Sequence, residues 1–187
     1  MEVEAIRNEK KILKMKKFLR QKSGVYELLF VMGINTALRI GDLLSMSIAD
    51  VTDTNGNVLE VICLQEHKTG KQKRLPVNES LKKTLSGYLI EHPGFKRNEP
   101  LFISRKGSVL SRSQAWRVLK AAGKSVGLQN IGTHSLRKTF GYHVYIKSGR
   151  DIGVVQRLLN HSVPKITLKY IGIDKEKMDN MYKELNL

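Results

Sequence analysis

The sequence predicts an α+β domain, mostly α-helical, with one small antiparallel β-hairpin, and three observations predict it. Proline is scarce, 4 in 187 residues, and long stretches carry apolar side chains at helical spacing. Residues 58–64, VLEVICL, have the branched-aliphatic density of a strand. The polar stretch QEHKTGKQK, with Gly70 inside it, separates that run from RLPV at 74–77, the pattern of two strands joined by a tight turn.

The elements follow in order. Residues 4–21 read as a basic helix within the N-terminal stretch 1–22. Ile6, Leu13 and Phe18 are among its apolar positions, with Lys10, Lys11, Lys14, Lys16 and Lys17 between them. Gly24 interrupts. Residues 26–46 read as one strongly apolar helix, a break near Thr36, and a short second helix from about Gly41. After the hairpin comes a helix over 78–90, then a short extended piece at 101–104. Ser111 or Ser113 caps a helix that runs to about Val126 and is closed by Gly127. Thr133 suits the N-cap of the next helix, which Gly149 closes, and Asp151 the N-cap of the one after. Pro164 starts another helix. A last one, about 175–185, carries Met178, Met181, Tyr182 and Leu185 as an apolar stripe.

A length of 187 residues suits a single domain spanning 1–187 with its own core. The single cysteine, Cys63, makes no internal disulfide, which fits a reducing, cytoplasmic compartment. The sequence has neither a membrane-length apolar run nor an apolar leader. Lys and Arg number 33 against 17 Asp and Glu, a net charge of +16, so a polyanionic partner is the plain reading. The sequence offers no carboxylate cluster, no H-E-x-x-H and no Cys/His ligand set, so neither a metal nor another cofactor is expected. His134 and His143, nine apart, make no convincing ligand pair.

Four segments carry residues suited to phosphate chemistry. In THSLRKTF, His134 and Arg137 lie three apart, on one helix face. An arginine grips a phosphate through two N–H bonds, and a histidine beside it handles a proton near neutral pH. In NTALRIGDLL, Arg39 sits in an apolar stretch, where a charge needs a partner or a site, and Asp42 is placed to orient it by a salt bridge. In HKTGKQKRLPV, Lys68 stands next to the turn of the hairpin. In LLNHSVPKITLKYIG, Tyr170 follows His161 by nine residues. Singly, each has an ordinary reading: a surface arginine, a structural ion pair, a solvated turn lysine, a half-buried tyrosine.

Together, over residues 35–170, the segments resemble the tyrosine recombinase (phage integrase) family. That family has an arginine in a T-G-L-R-like motif, a lysine in a hairpin K-T-G, an H-x-x-R, an L-G-H, and a tyrosine nine residues after that histidine. NTALR, HKTGK, HSLR, LLNH and Tyr170 match in the same order, with Asn160 where glycine is usual. The resemblance implies a recombinase-like catalytic domain that cuts and rejoins DNA through a 3′-phosphotyrosyl link to Tyr170, without metal or cofactor. It implies that Arg39 and Arg137 clamp the phosphate and Lys68 protonates the leaving oxygen. His134 assists proton transfer or holds the phosphate, His161 donates a hydrogen bond to it, and Asp42 supports Arg39.

The same resemblance sets expectations about partners. The partner is double-stranded DNA, with the 4–21 helix and Lys71, Lys73 and Arg74 as candidates for backbone contacts. Self-association as a tetramer on DNA and accessory DNA-bending proteins are further expectations, in the cytoplasm of a bacterium or of a phage's host, at the nucleoid. Residues 1–25 are too few for the N-terminal core-binding domain of many members, which is expected to be absent. The tail, 171–187, is expected to dock on its own or a neighbouring subunit. A DNA-binding module of the same fold that no longer cuts, a type IB topoisomerase and an RNA-binding protein are the competing readings. The intact set of six residues speaks against the first, and the motif order against the last.

Overall fold

The structure, a computed structural model, describes residues 2–67, 70–104 and 107–185, without the side chains of 175–177. Its centre is helix α2 (Gly24–Thr36), buried along most of its length by Val25, Leu28, Leu29, Phe30, Val31 and Met32. A helix apolar on all sides is stable only when other elements cover it. Here α1 (Glu9–Lys22), α4 (Glu79–Ile90), α5 (Arg112–Ser125) and α6 (Thr133–Lys147) do so. Gly33 permits the closest approach: a Cβ there would lie 2.4 Å from Leu136 Cδ1.

Between α2 and α4 come α3 (Ile40–Leu44), a 3-10 turn (Ile48–Asp50) and the hairpin of β1 (Val61–Gln65) and β2 (Gln72–Pro76). The strands are antiparallel, with Ile62 opposite Leu75 and Leu64 opposite Lys73. Strand alternation puts Ile62 and Leu75 in the core and leaves Cys63 and Arg74 exposed. After α6 the chain folds into α7 (Ile152–Leu159), α8 (Pro164–Ile171) and α9 (Ile173–Glu184). Val155, Leu159, Ile171 and Ile173 form a second, smaller core there with Ala37. Helix α6 joins the two cores: Leu136 belongs to the first, while Phe140 and Tyr142 pack against the second.

The expected order of elements holds, with shifts at the ends. The first helix starts at Glu9, capped by Asn8, and residues 2–8 are not helical. They run as a strap: the Glu4 amide donates to Asn130 O, the Ile6 amide donates to Thr139 Oγ1, and the Ile6 side chain is buried. Strand β1 starts at Val61, because Val58 bridges Thr52 and the Leu59 amide is spent on Val51 O. The extended piece at 101–104 is a single bridge, Ile103 to Val109. Ser111, not Ser113, caps α5. Thr133 is the first residue of α6 and Gly132 its N-cap. The tail helix begins two residues early, at Ile173, where Gly172 at φ 81° ends α8. Among the described residues no helix is long and apolar enough to cross a membrane.

Candidate active site

Two helices end in the same unusual way, and both ends serve Arg137. After α2, Ala37 adopts φ 57°, and after α7, Asn160 adopts φ 53°. Left-handed backbone crowds a Cβ, so such turns favour glycine and tolerate asparagine. At these turns Ala37 O and Leu159 O accept hydrogen bonds from Nη1 and Nη2 of Arg137. The guanidinium is 5% exposed and fixed by main chain from segments 100 and 22 residues away. His134, one turn earlier on α6, stands exposed at the rim. Its pKa is lowered by burial of the ring, then by the charges of Arg137, Lys138 and Arg39.

Arg39 precedes α3 in extended conformation and is one quarter exposed. The carboxylate beside it is that of Glu66, not of Asp42. Arg39 Nη1 lies 3.0 Å from Glu66 Oε2, at an angle that makes no hydrogen bond. Glu66 is 2% exposed, with its Oε1 3.9 Å from Arg137 Nη1 and 3.8 Å from Lys73 Nζ. Asp42, also buried, makes a different bond from the one expected: its Oδ1 accepts the His67 amide at 3.0 Å, tying α3 to the hairpin.

Lys68 lies outside the described residues, but its flanks are fixed. The Glu66 amide donates to Lys71 O, the Gly70 amide to Glu66 O, and His67 Nε2 is 3.0 Å from Ser45 Oγ. The three basic residues beyond the tip divide. Lys73 Nζ donates to Leu158 O at 3.3 Å and Lys71 Nζ to Asn160 Oδ1 at 3.3 Å, while Arg74 stands exposed. Burial, and then the charge of Arg137, bring Lys73 down to about 8, against the pull of Glu66.

Helix α8 brings Tyr170 to this cluster from the other side. Burial raises its phenol pKa, and the charges of Arg137 and Arg39 close by oppose the rise. His161 packs edge-on against the Tyr170 ring, with centroids 5.1 Å apart, and its Nδ1 lies 3.1 Å from Thr167 Oγ1. Burial, Arg137 and Arg39 lower the His161 pKa, the same direction as for His134. Lys138 Nζ sits 5.3 Å from the Tyr170 ring centroid and pairs with Glu2 of the strap at 2.7 Å.

Arg39, Arg137, His161 and Tyr170 thus meet, with His134 at the rim and the base of the Lys68 hairpin joined to them. Sequence reasoning missed Glu66, Thr167 and Lys138. A charge count held the signal for Glu66: two arginines in apolar surroundings need an anion, and Glu66 closes an apolar strand. Thr167 and Lys138 had no such signal. Fixed donors around a phenol suit the attack of that phenol on a phosphoryl group whose charge grows during reaction. Among the described residues no group of three or more His, Cys, Asp or Glu side chains is placed to hold a metal ion.

The phage integrase family profile matches residues 7–177. The chain is 42% identical to a probable integrase/recombinase, YoeC, of Bacillus subtilis over 182 residues, 97% of this chain and 96% of that one. It is 31% identical over 145 residues, 73% of this chain, to the tyrosine recombinase XerD of Mycobacterium leprae, of which it covers 44%. The fold superposes with TM-score 0.72 and 23% identity on the XerH site-specific recombinase in a post-cleavage complex with a palindromic difH substrate, covering 96% of this chain and 52% of that one. The chain therefore spans about half the length of the Xer proteins compared, and nearly all of YoeC.

Proposed function

The chain belongs to the phage integrase family, and from that premise we propose that it performs site-specific DNA recombination by breaking and rejoining strands through Tyr170. The observation that carries this reading is the meeting of Tyr170 with the buried Arg137, with Arg39 and His161 beside them in one chain. The phenol oxygen attacks the backbone phosphorus as its proton passes to His134, and the bond to the 5′ oxygen breaks. Arg39 and Arg137 stabilise the added charge on the non-bridging oxygens, and His161 offers a hydrogen bond to them. Lys68 supplies the proton to the leaving oxygen. The phosphotyrosyl link conserves the bond, so a 5′ hydroxyl reseals the strand by the reverse route.

The net charge of +16 suits holding duplex DNA by its phosphates. Exposed Arg74, and an open groove beside His134 lined by Arg112, Ser113, Trp116, Arg117 and Thr133, are where such contacts fit. Met178, Met181, Tyr182 and Leu185 are all exposed on the tail, an apolar face suited to a second subunit in a tetrameric assembly on DNA. The place of action is then the nucleoid, with DNA-bending proteins as helpers.

A nicked duplex that traps the covalent intermediate tests the reading. Wild-type protein in EDTA is expected to give a slower-migrating band on a denaturing gel, and Tyr170→Phe to bind the same DNA and give none. An adduct with the phenylalanine variant sinks the assignment of the nucleophile.

A further inference from the structure

Glu66 is the one acid among the described residues within ion-pair distance of both site arginines. We propose that Glu66 is a positioning residue for the arginine clamp: its buried carboxylate gathers Arg39, Arg137 and Lys73 to one point and locks the hairpin of Lys68 onto them. The proposal rests on the reading of Arg39 and Arg137 as phosphate ligands.

Three features carry it. The first is charge. Among the described residues, three cations lie within 4 Å of one carboxylate that is 2% exposed, and in so dry a place their mutual repulsion is poorly screened. The second is geometry. Arg39 Nη1 approaches to 3.0 Å without hydrogen-bond alignment, and Arg137 Nη1 stays 3.9 Å away. The carboxylate neutralises both arginines without bonding those nitrogens, so the hydrogen-bonding capacity of Arg39 is not spent on Glu66. The third is the backbone. The Glu66 amide donates to Lys71 O and its carbonyl accepts the Gly70 amide, so the residue that gathers the arginines also ties the end of β1 to Gly70 and Lys71 ahead of β2. The neighbours agree, since Asp42 holds the His67 amide and Lys73 holds Leu158 O, joining the hairpin to α3 and to the end of α7.

The test is Glu66→Gln, which keeps shape and removes charge. At saturating nicked DNA, adduct formation is expected to fall roughly 30-fold, less than the ~10²–10³ lost when a preorganised donor is removed outright, with the dissociation constant for DNA within about threefold of wild type. Adding Lys73→Met, which removes one of the excess cations, is expected to recover part of the rate. A merely structural role predicts the opposite, a second loss on top of the first. The side-chain Nε–H resonances of Arg39 and Arg137, recorded without DNA, are expected to move in Glu66→Gln.

A variant rate within threefold of wild type overturns the proposal, as do arginine resonances that stay in place. Should wild type form no adduct while the arginine resonances move, the catalytic reading fails and the gathering of the arginines stands. Should Glu66→Gln fail to unfold cooperatively, the pair Lys73→Met and Glu66→Gln/Lys73→Met is compared instead, and equal rates overturn the proposal.

Discussion

Arg137 and Arg39 reach Glu66 from opposite halves of the chain and are held there by different means. Arg137 is 5% exposed, and its two terminal nitrogens are bonded to Ala37 O and Leu159 O. Arg39 is 25% exposed, and the contact that holds it is a charge contact with Glu66. Arg137 is bonded to two main-chain carbonyls of the second core, so its place is set by folding. Arg39 is kept within reach of the site by electrostatics and retains freedom to turn to a ligand. Two residues expected to share one task are therefore expected to differ in what else depends on them.

The largest effects separate them directly. Arg137→Ala removes a buried charge and strands two buried carbonyls, so it is expected to destabilise the fold by about 3 kcal/mol. It is also expected to slow adduct formation by three orders of magnitude or more, roughly the scale for losing a preorganised donor together with its scaffold. Arg39→Ala is expected to slow the same step by about 10²–10³ while costing about 1 kcal/mol of stability. Urea unfolding and single-turnover trapping on one set of samples decide it. Equal losses of stability in the two variants break the distinction.

A smaller effect lies in the histidines. Burial depresses both His134 and His161, and among the charges Arg137 acts most strongly on each, with Arg39 weaker. Arg137→Ala is expected to raise both pKa values more than Arg39→Ala does, as ring-proton NMR titration would show. The sign for stability follows. The unfolded chain binds these protons first as pH falls, near the ordinary value of about 6.5. Stability is therefore undiminished above that pH and declines as pH drops through the depressed folded values. A domain more stable at pH 5 than at pH 7.5 contradicts the assignment.

The same asymmetry marks what was legible in the sequence. Arg39, His134, Arg137, His161 and Tyr170 could be found because each sits in a local motif of fixed type and spacing. Glu66 could not be assigned its partners, because its role is a contact made 27 and 71 residues away along the chain. Asp42 was expected to orient Arg39 by a salt bridge because it follows three residues later, but from α3 its Oδ1 accepts the His67 amide instead. Ile6 fitted a helix pattern, yet a buried anchor on a strap and one on a helix look alike when a single residue is counted. The alternation that hides Lys73 while exposing Arg74 was readable only once the hairpin register was known.

The smallest effect tests the turns that fix Arg137 and leave Arg39 alone. Asn160 is exposed at φ 53°, and its side chain meets Lys71 Nζ at 3.3 Å on the surface. Asn160→Gly relieves a left-handed residue by about 1 kcal/mol and gives most of that back in unfolded-chain entropy, so a net change within about 0.5 kcal/mol is expected. Ala37 has the same φ problem but is wholly buried, so Ala37→Gly also gives up roughly 0.8 kcal/mol of methyl burial and is expected to be slightly destabilising. Neither change moves the carbonyl that Arg137 uses, so adduct formation and the His161 titration are expected to stay near wild type. Ala37→Val keeps the space filled but puts a branched Cβ where the backbone tolerates it least, and is expected to lose stability by more than either glycine variant. If Ala37→Val unfolds like wild type, Arg137 does not depend on the left-handed turn, and its difference from Arg39 is one of burial alone.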